Sequence, residues 1–215
     1  MLPTDEVHIH ILRPGKGISS ALSWWQGLLA SYSRMEVPEL RIKRGPQGKP
    51  YLEGGGLHFN LSHSGNLTAL SIGRRRVGVD VETFEEGARA DWRLIAQRHF
   101  SPSEREFLFS QDPGEQNRPF LRMFTLKEAR VKAEGMGLSR PFSQFSLALP
   151  LVERCWEGPW ESLSVGLEEG CLAHVAENPG RAPLRYRFQE WTGDFPRDLQ
   201  AVPFSMKGSH GHLVG

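Results

Sequence analysis

The stretch LHFNLSHSGNLTALSIGRRRVGVDVE, residues 57–82, decides how the chain folds. Leu57 to Leu61 alternates, with Phe59 and Leu61 on one face and His58 and Asn60 on the other, which is the two-residue period of a strand. Ser62 to Asn66 is turn chemistry. Leu67–Ile72 and Val77–Glu82 then read as two more strands, expected to form a hairpin around Gly73-Arg-Arg-Arg76. Three arginines at a tip suit a phosphate, but a solvated hairpin tip explains them as well.

Outward from this centre, strand and helix patterns mix. His8 to Leu12 alternates as a first strand. Ser19 to Ser33 carries Ala21, Trp24, Trp25, Leu28 and Leu29 at helical spacing, with Ser19 or Ser20 as N-cap. Downstream, Asp91–His99 is a helix built on Trp92, Leu94 and Ile95. Ser101-Pro-Ser-Glu104 is a capping box that opens a second, through Phe109. Pro119–Glu134 is a long helix stopped at Gly135-Met-Gly137. Strands are expected at Phe145–Leu149, Ser162–Leu167, Cys171–Glu177 and Leu184–Glu190, the last two as a hairpin across Asn178-Pro-Gly180. The tail beyond Val202, with Ser209-His-Gly-His212, reads as polar and frayed. The mixture predicts an α+β protein.

Composition narrows the function. The 215 residues suffice for one large domain or two small ones. Lys plus Arg (26) and Asp plus Glu (25) leave a net charge of +1, against the basic excess of a dedicated nucleic-acid binder. No run approaches the ~18 apolar residues of a membrane span, and Met1-Leu-Pro-Thr-Asp-Glu6 lacks the apolar core of a secretory signal. Cys155 and Cys171 lack zinc-site spacing and read as reduced thiols of a cytoplasmic protein.

Four short elements carry chemistry. In Gly78-Val-Asp-Val-Glu82 the two acids share one strand face, roughly 7 Å apart, and repel unless a cation lies between them. A Mg²⁺ site fits this, as does a strand end with two solvated acids. In FTLKEARVKAE, residues 124–134, Phe124, Glu128 and Lys132 share one helix face. Glu128 and Lys132 are either a metal ligand with a phosphate clamp or a surface ion pair. Asn60-Leu-Ser-His-Ser64 offers a histidine between hydroxyls, for a phosphate or simply for a satisfied loop. It is not a hydrolase triad, because no Gly-x-Ser-x-Gly elbow accompanies it. Gly48-Lys-Pro50 sets a cation on a stiff turn.

In this order and spacing, Lys49 to about Phe145, the four elements resemble the 4′-phosphopantetheinyl transferases, in particular the type that activates the surfactin synthetase. The resemblance implies an α+β pseudo-dimer of two similar α/β halves, with antiparallel sheets and long helices and the active site in the cleft between them. The halves would be residues 1–100 and 101–215. It further implies transfer of the 4′-phosphopantetheine arm of coenzyme A to a serine of an apo acyl-carrier or peptidyl-carrier protein, releasing 3′,5′-ADP, by a cytoplasmic monomer that uses Mg²⁺ or Mn²⁺.

By the same resemblance, Asp80, Glu82 and Glu128 would hold the metal against the pyrophosphate. Lys132 would contact the pyrophosphate and protonate the leaving phosphate. Lys49, Ser62 and His63 would hold the 3′-phosphate and adenosine end. Glu128, or a water on the metal, would take the serine proton, with Glu104 a second candidate base and Lys127 an assistant in carrier or phosphate contact. Arg130, Arg140 and Phe142–Phe145 form the expected carrier surface. Two departures stand out. Phe124 replaces the family's tryptophan, and the arginine that grips the 3′-phosphate from the first helix has no clear match; Lys16, Arg41, Lys43 and Arg44 are the basic residues at hand. The rival functions are a Mg²⁺-dependent coenzyme A or nucleotide pyrophosphohydrolase and a non-catalytic binder of coenzyme A or carriers.

Overall fold

A computed structural model describes residues 2–13, 21–54, 56–84, 91–137, 141–192 and 196–199. Lys16, Ser19, Ser20, Leu138, Arg140 and the tail beyond Val202 lie outside them. The strands are β1 (Glu6–Leu12), β2 (Ile42–Arg44), β3 (Pro50–Leu52), β4 (His58–Ser64), β5 (Leu67–Gly73), β6 (Val77–Thr83), β7 (Arg154–Glu157), β8 (Trp160–Leu167), β9 (Gly170–Glu177), β10 (Arg185–Trp191) and β11 (Pro196–Leu199). The α-helices are α1 (Ala21–Ser33), α2 (Trp92–His99), α3 (Pro102–Phe109) and α4 (Asn117–Glu134). The result is the α+β class that the sequence predicts.

Two sheets face each other. One has the order β11-β10-β1-β5-β4, with β1 and β10 parallel; the other has the order β6-β9-β8-β7 and is antiparallel throughout. Strand alternation builds the layer between them: Val7, Ile9 and Ile11 of β1 meet Val77, Val79 and Val81 of β6 and Leu163 and Val165 of β8. The opposite face of β1 turns towards α1, where Leu12 packs with Trp24, Leu29, Leu70 and Ile72. On the far side, Phe120, Met123, Ala129 and Ala133 of α4 pack on Ala173 and Val175 of β9. Both sheets draw strands from either side of residue 100.

Several strand expectations need correction. β5 and β6 do not pair; β5 pairs with β4 and β1, and β6 pairs with β9. Both strands are buried along nearly their whole length, so each needs cover on two faces and they enter different sheets. The arginine stretch is therefore a crossover, tied down at both ends. Arg74 donates to the Leu2 and Gly56 carbonyls, Arg75 to the Thr4 carbonyl and Asn178, and Arg76 to Glu177. The hairpin expected across Asn178 is also absent, because β9 pairs with β8 and β6 while β10 joins β1. Phe145–Leu149 is not a strand; a 3₁₀ turn at Phe142–Gln144 precedes it, and β7 lies further on. The helical expectations match in place, at Trp92–His99, Pro102–Phe109 and Asn117–Glu134.

Gly78 explains how α4 and β6 come so close. A Cβ there would lie 2.1 Å from the Ala129 carbonyl oxygen and 2.3 Å from the Ala133 nitrogen. Only glycine lets the helix rest directly on the strand that carries Asp80 and Glu82. At its end, α4 stops because Gly135 adopts φ 72°, a left-handed conformation that costs glycine little.

Candidate active site

Asp80 sits in the middle of β6 and is buried. Its Oδ1 accepts from Lys132 Nζ at 2.6 Å and from Ser62 Oγ at 2.8 Å, and Lys132 Nζ also donates to Ser62 at 2.9 Å. Three of the four chemical elements of the sequence thus meet in one closed triangle. Its other oxygen, Oδ2, is buried without a hydrogen-bond partner. Burial pushes the Asp80 carboxyl up, with Lys132 the main opposing influence.

Glu82, two residues on, is half-buried and accepts from Ser64 Oγ at 2.9 Å. Glu128 is pushed up to about 7, first by burial and then by the negative charge of Asp80 and Glu82, with Lys132 opposing. It lines a cavity of 530 Å³ together with Ile95, Phe124, Val131, Lys132 and Phe142. Phe124, Glu128 and Lys132 thus face the same space, as their helical spacing predicts. Among the described residues no three carboxylate, imidazole or thiolate groups already stand as a metal cluster. The donor set nevertheless suits a hard divalent cation: the orphaned Asp80 oxygen seeks a partner, and the charges of Asp80 and Glu82 make Glu128 harder to ionise.

Lys49 reaches the same end of α4 from below. Its ammonium donates to the Val77 and Ala133 carbonyls, at 2.8 and 3.1 Å, and burial lowers it to about 8. A cation near a helix C-terminus is favourable there, and it also pins β6 to α4. Ser62, expected to contact a phosphate, is instead buried against Asp80 and Val81. His63 is exposed. Of the basic residues considered for the 3′-phosphate, Lys43 pairs with Glu53, Arg44 donates to the Gly48 carbonyl, and Arg41 is exposed.

Glu104 and Lys127 turn out to be a buried structural pair. Glu104 closes the capping box by accepting from the Ser101 amide at 2.7 Å, and its other oxygen accepts from the Leu147 amide at 2.7 Å and from Lys127 at 2.9 Å. Lys127 also donates to the Phe142 and Phe145 carbonyls, so all three of its protons have acceptors. Both side chains are fully buried. Lys127 therefore clasps residues 142–147 to α4 rather than meeting a carrier or a phosphate, because its helix angle turns it away from the Glu128 face. Arg130 is likewise buried, paired with Glu134 and placed over the Trp160 ring, which removes it from the expected carrier surface. Sequence reasoning missed Ser64 and Asn60 as partners of β6. The signal was there, since both alternate with Ser62 on one strand face.

Comparison with known proteins shows what the chain is similar to. The sequence model of the 4′-phosphopantetheinyl transferase superfamily matches residues 76–168, a span that holds Asp80, Glu82, Glu104, Glu128 and Lys132. A 4′-phosphopantetheinyl transferase of Bacillus subtilis is 36% identical over 103 residues, 47% of this chain and 44% of that protein. The 4′-phosphopantetheinyl transferase HetI of a Nostoc strain is 31% identical over 159 residues, covering 70% and 66%. AcpT of Salmonella typhimurium, another 4′-phosphopantetheinyl transferase, is 38% identical over 128 residues, covering 58% and 64%. Over these spans the chain is similar to the 4′-phosphopantetheinyl transferase superfamily. It covers less than two thirds of the length of each of these relatives.

Proposed function

We propose that the chain moves the 4′-phosphopantetheine arm of coenzyme A onto a serine hydroxyl of an apo acyl-carrier or peptidyl-carrier protein, leaving 3′,5′-ADP. The observation that carries this reading is the Asp80–Ser62–Lys132 triangle, which sets a buried carboxylate with one orphaned oxygen next to Glu128 at the edge of an apolar cavity.

Asp80, Glu82 and Glu128 would hold Mg²⁺, or Mn²⁺ in its place. A divalent cation held there would neutralise the pyrophosphate of coenzyme A and the charge that grows on the departing 3′,5′-ADP. Phosphoryl transfer requires little covalent chemistry of the protein, so the remaining work is placement and proton management. Glu128 would accept the serine proton as the serine oxygen bonds to phosphorus. Lys132 would turn its ammonium to the leaving side and supply a proton there as the P–O bond breaks. The apolar walls from Ile95, Phe124, Val131 and Phe142 suit the uncharged pantetheine arm and keep water from the phosphorus. His63, exposed at the end of β4, is the residue we assign to the 3′-phosphate end. A monomeric, cytoplasmic enzyme belongs to the same reading.

The test is product stoichiometry. Chain, Mg²⁺ and coenzyme A are incubated with and without an apo carrier, and 3′,5′-ADP is followed by chromatography. Formation that requires carrier, one nucleotide per carrier modified, is expected. Release of nucleotide from coenzyme A without carrier would make the chain a pyrophosphohydrolase. Coenzyme A binding with no turnover would make it a binder.

A further inference from the structure

β4 ends one sheet and β6 ends the other, so two strand edges meet where the sheets join. No backbone ladder connects them. Alternate side chains of β4 take the β6 amides instead: Asn60 Oδ1 accepts from Val79 N at 2.8 Å, Ser62 Oγ from Val81 N at 3.3 Å, and Ser64 Oγ from Thr83 N at 3.1 Å. The sequence offset is 19 each time, because both strands advance two residues per pleat.

A hydroxyl that accepts still has a proton to give, which an amide oxygen has not. Ser62 gives its proton to Asp80 and Ser64 gives its own to Glu82, at an offset of 18 in both cases. The residue 18 beyond Asn60 is Gly78, where α4 presses on the strand and no side chain fits. The seam thus has one purely structural rung and two rungs that each end on a carboxylate.

We propose that Ser64 is a positioning residue for Glu82, aiming that carboxylate at the divalent cation; the inference rests on the function proposed above. Ser64 is buried; its oxygen accepts from the Thr83 amide at 3.1 Å and its proton goes to Glu82 at 2.9 Å, a shorter contact than the 3.5 Å to the Thr83 hydroxyl. A glutamate side chain loses appreciable rotamer freedom when it binds. Holding one of its oxygens beforehand removes part of that loss, which is why partners behind metal ligands raise affinity.

The experiment measures Mn²⁺ affinity of the full chain, without coenzyme A, by electron paramagnetic resonance of free Mn²⁺, with urea midpoints recorded for each variant. Ser64→Ala is expected to weaken Mn²⁺ binding about 10–100-fold, and Ser64→Thr, which restores the hydroxyl, to return most of it. Asn60→Ala breaks the structural rung alone, so it is expected to lower the urea midpoint while leaving Mn²⁺ affinity in place. Asp80→Ala tests the underlying reading. Mn²⁺ binding that survives Asp80→Ala overturns that reading and this inference with it. Binding lost in Asp80→Ala but unchanged in Ser64→Ala overturns the inference alone. So does an equal loss in Asn60→Ala and Ser64→Ala, or a failure of Ser64→Thr to recover affinity.

Discussion

Lys132 Nζ lies 2.6 Å from Asp80 Oδ1, joining the last turn of α4 to the centre of β6. The pair is lopsided: the Asp80 side chain is 4% exposed and that of Lys132 29%. Asp80 therefore depends on the ammonium more than the ammonium depends on Asp80, and the pair ties the helix to the strand that Gly78 lets it approach.

Removing the ammonium should expose that dependence. Lys132→Met is expected to lower stability by about 3 kcal/mol, because a buried carboxylate loses its counter-charge. The loss should grow as pH rises. Asp80 is already shifted up, so its protonated form needs no partner at low pH, whereas its ionised form does at high pH. Urea midpoints at pH 5 and pH 8 measure this, and adding Asp80→Asn to Lys132→Met should recover part of the loss. A deficit equal at both pH values would count against the account.

Gly78→Ala should damage the fold itself. Its Cβ would enter the backbone of α4 at 2.1 Å from the Ala129 oxygen, where no flexible side chain can give way. A cost of about 1–3 kcal/mol or more is expected, with lost activity following from the shifted Asp80 and Glu128. Thermal unfolding of the variant, alongside Gly114→Ala at a glycine with open space, checks it.

Glu104→Gln and Lys127→Met test the clasp on residues 142–147. Each leaves a fully buried charge unpaired, at about 3–5 kcal/mol by urea denaturation. The double variant Glu104→Gln, Lys127→Met should be more stable than the sum of the two losses. Since Phe142 forms a wall of the cavity beside Glu128, the surviving folded fraction should show a raised KM before a lowered kcat.

Acid stability follows from two buried imidazoles. Burial holds both His10 and His174 down at about 3, against an ordinary value of 6.5. The unfolded chain therefore takes up these protons first. The stabilisation is complete above about 6.5 and is lost as pH falls towards 3. Urea midpoints from pH 7 to pH 4 should decline, and less steeply in His174→Asn, which keeps a polar partner for Ser71 without a group that titrates there.

The parts of this molecule legible in its sequence are those written in local periodicity and caps. The 3.6-residue pattern placed Glu128 and Lys132 on one face of α4, and Ser101 to Glu104 announced the start of α3. Strand partners were another matter. Adjacent runs such as Leu67–Ile72 and Val77–Glu82 look like a hairpin, and only the need to cover both faces of each sends them to different sheets. The resemblance gives Glu104 and Lys127 functional roles, and Arg130 is placed at the carrier surface by its position in the helix motif. Their burial follows from where residues 142–147 and Trp160 pack, which no local pattern contains. The four chemical motifs are visible singly in the sequence, and the Asp80–Ser62–Lys132 triangle brings three of them together.

The most direct test of the central claim is the intact mass of an apo carrier protein after incubation with the chain, coenzyme A and Mg²⁺. The account predicts a gain of one phosphopantetheine arm, abolished by EDTA, by Asp80→Ala and by Glu128→Ala in chains that remain folded. An unchanged carrier mass under these conditions, or a gain that persists without Asp80 and Glu128, would contradict it.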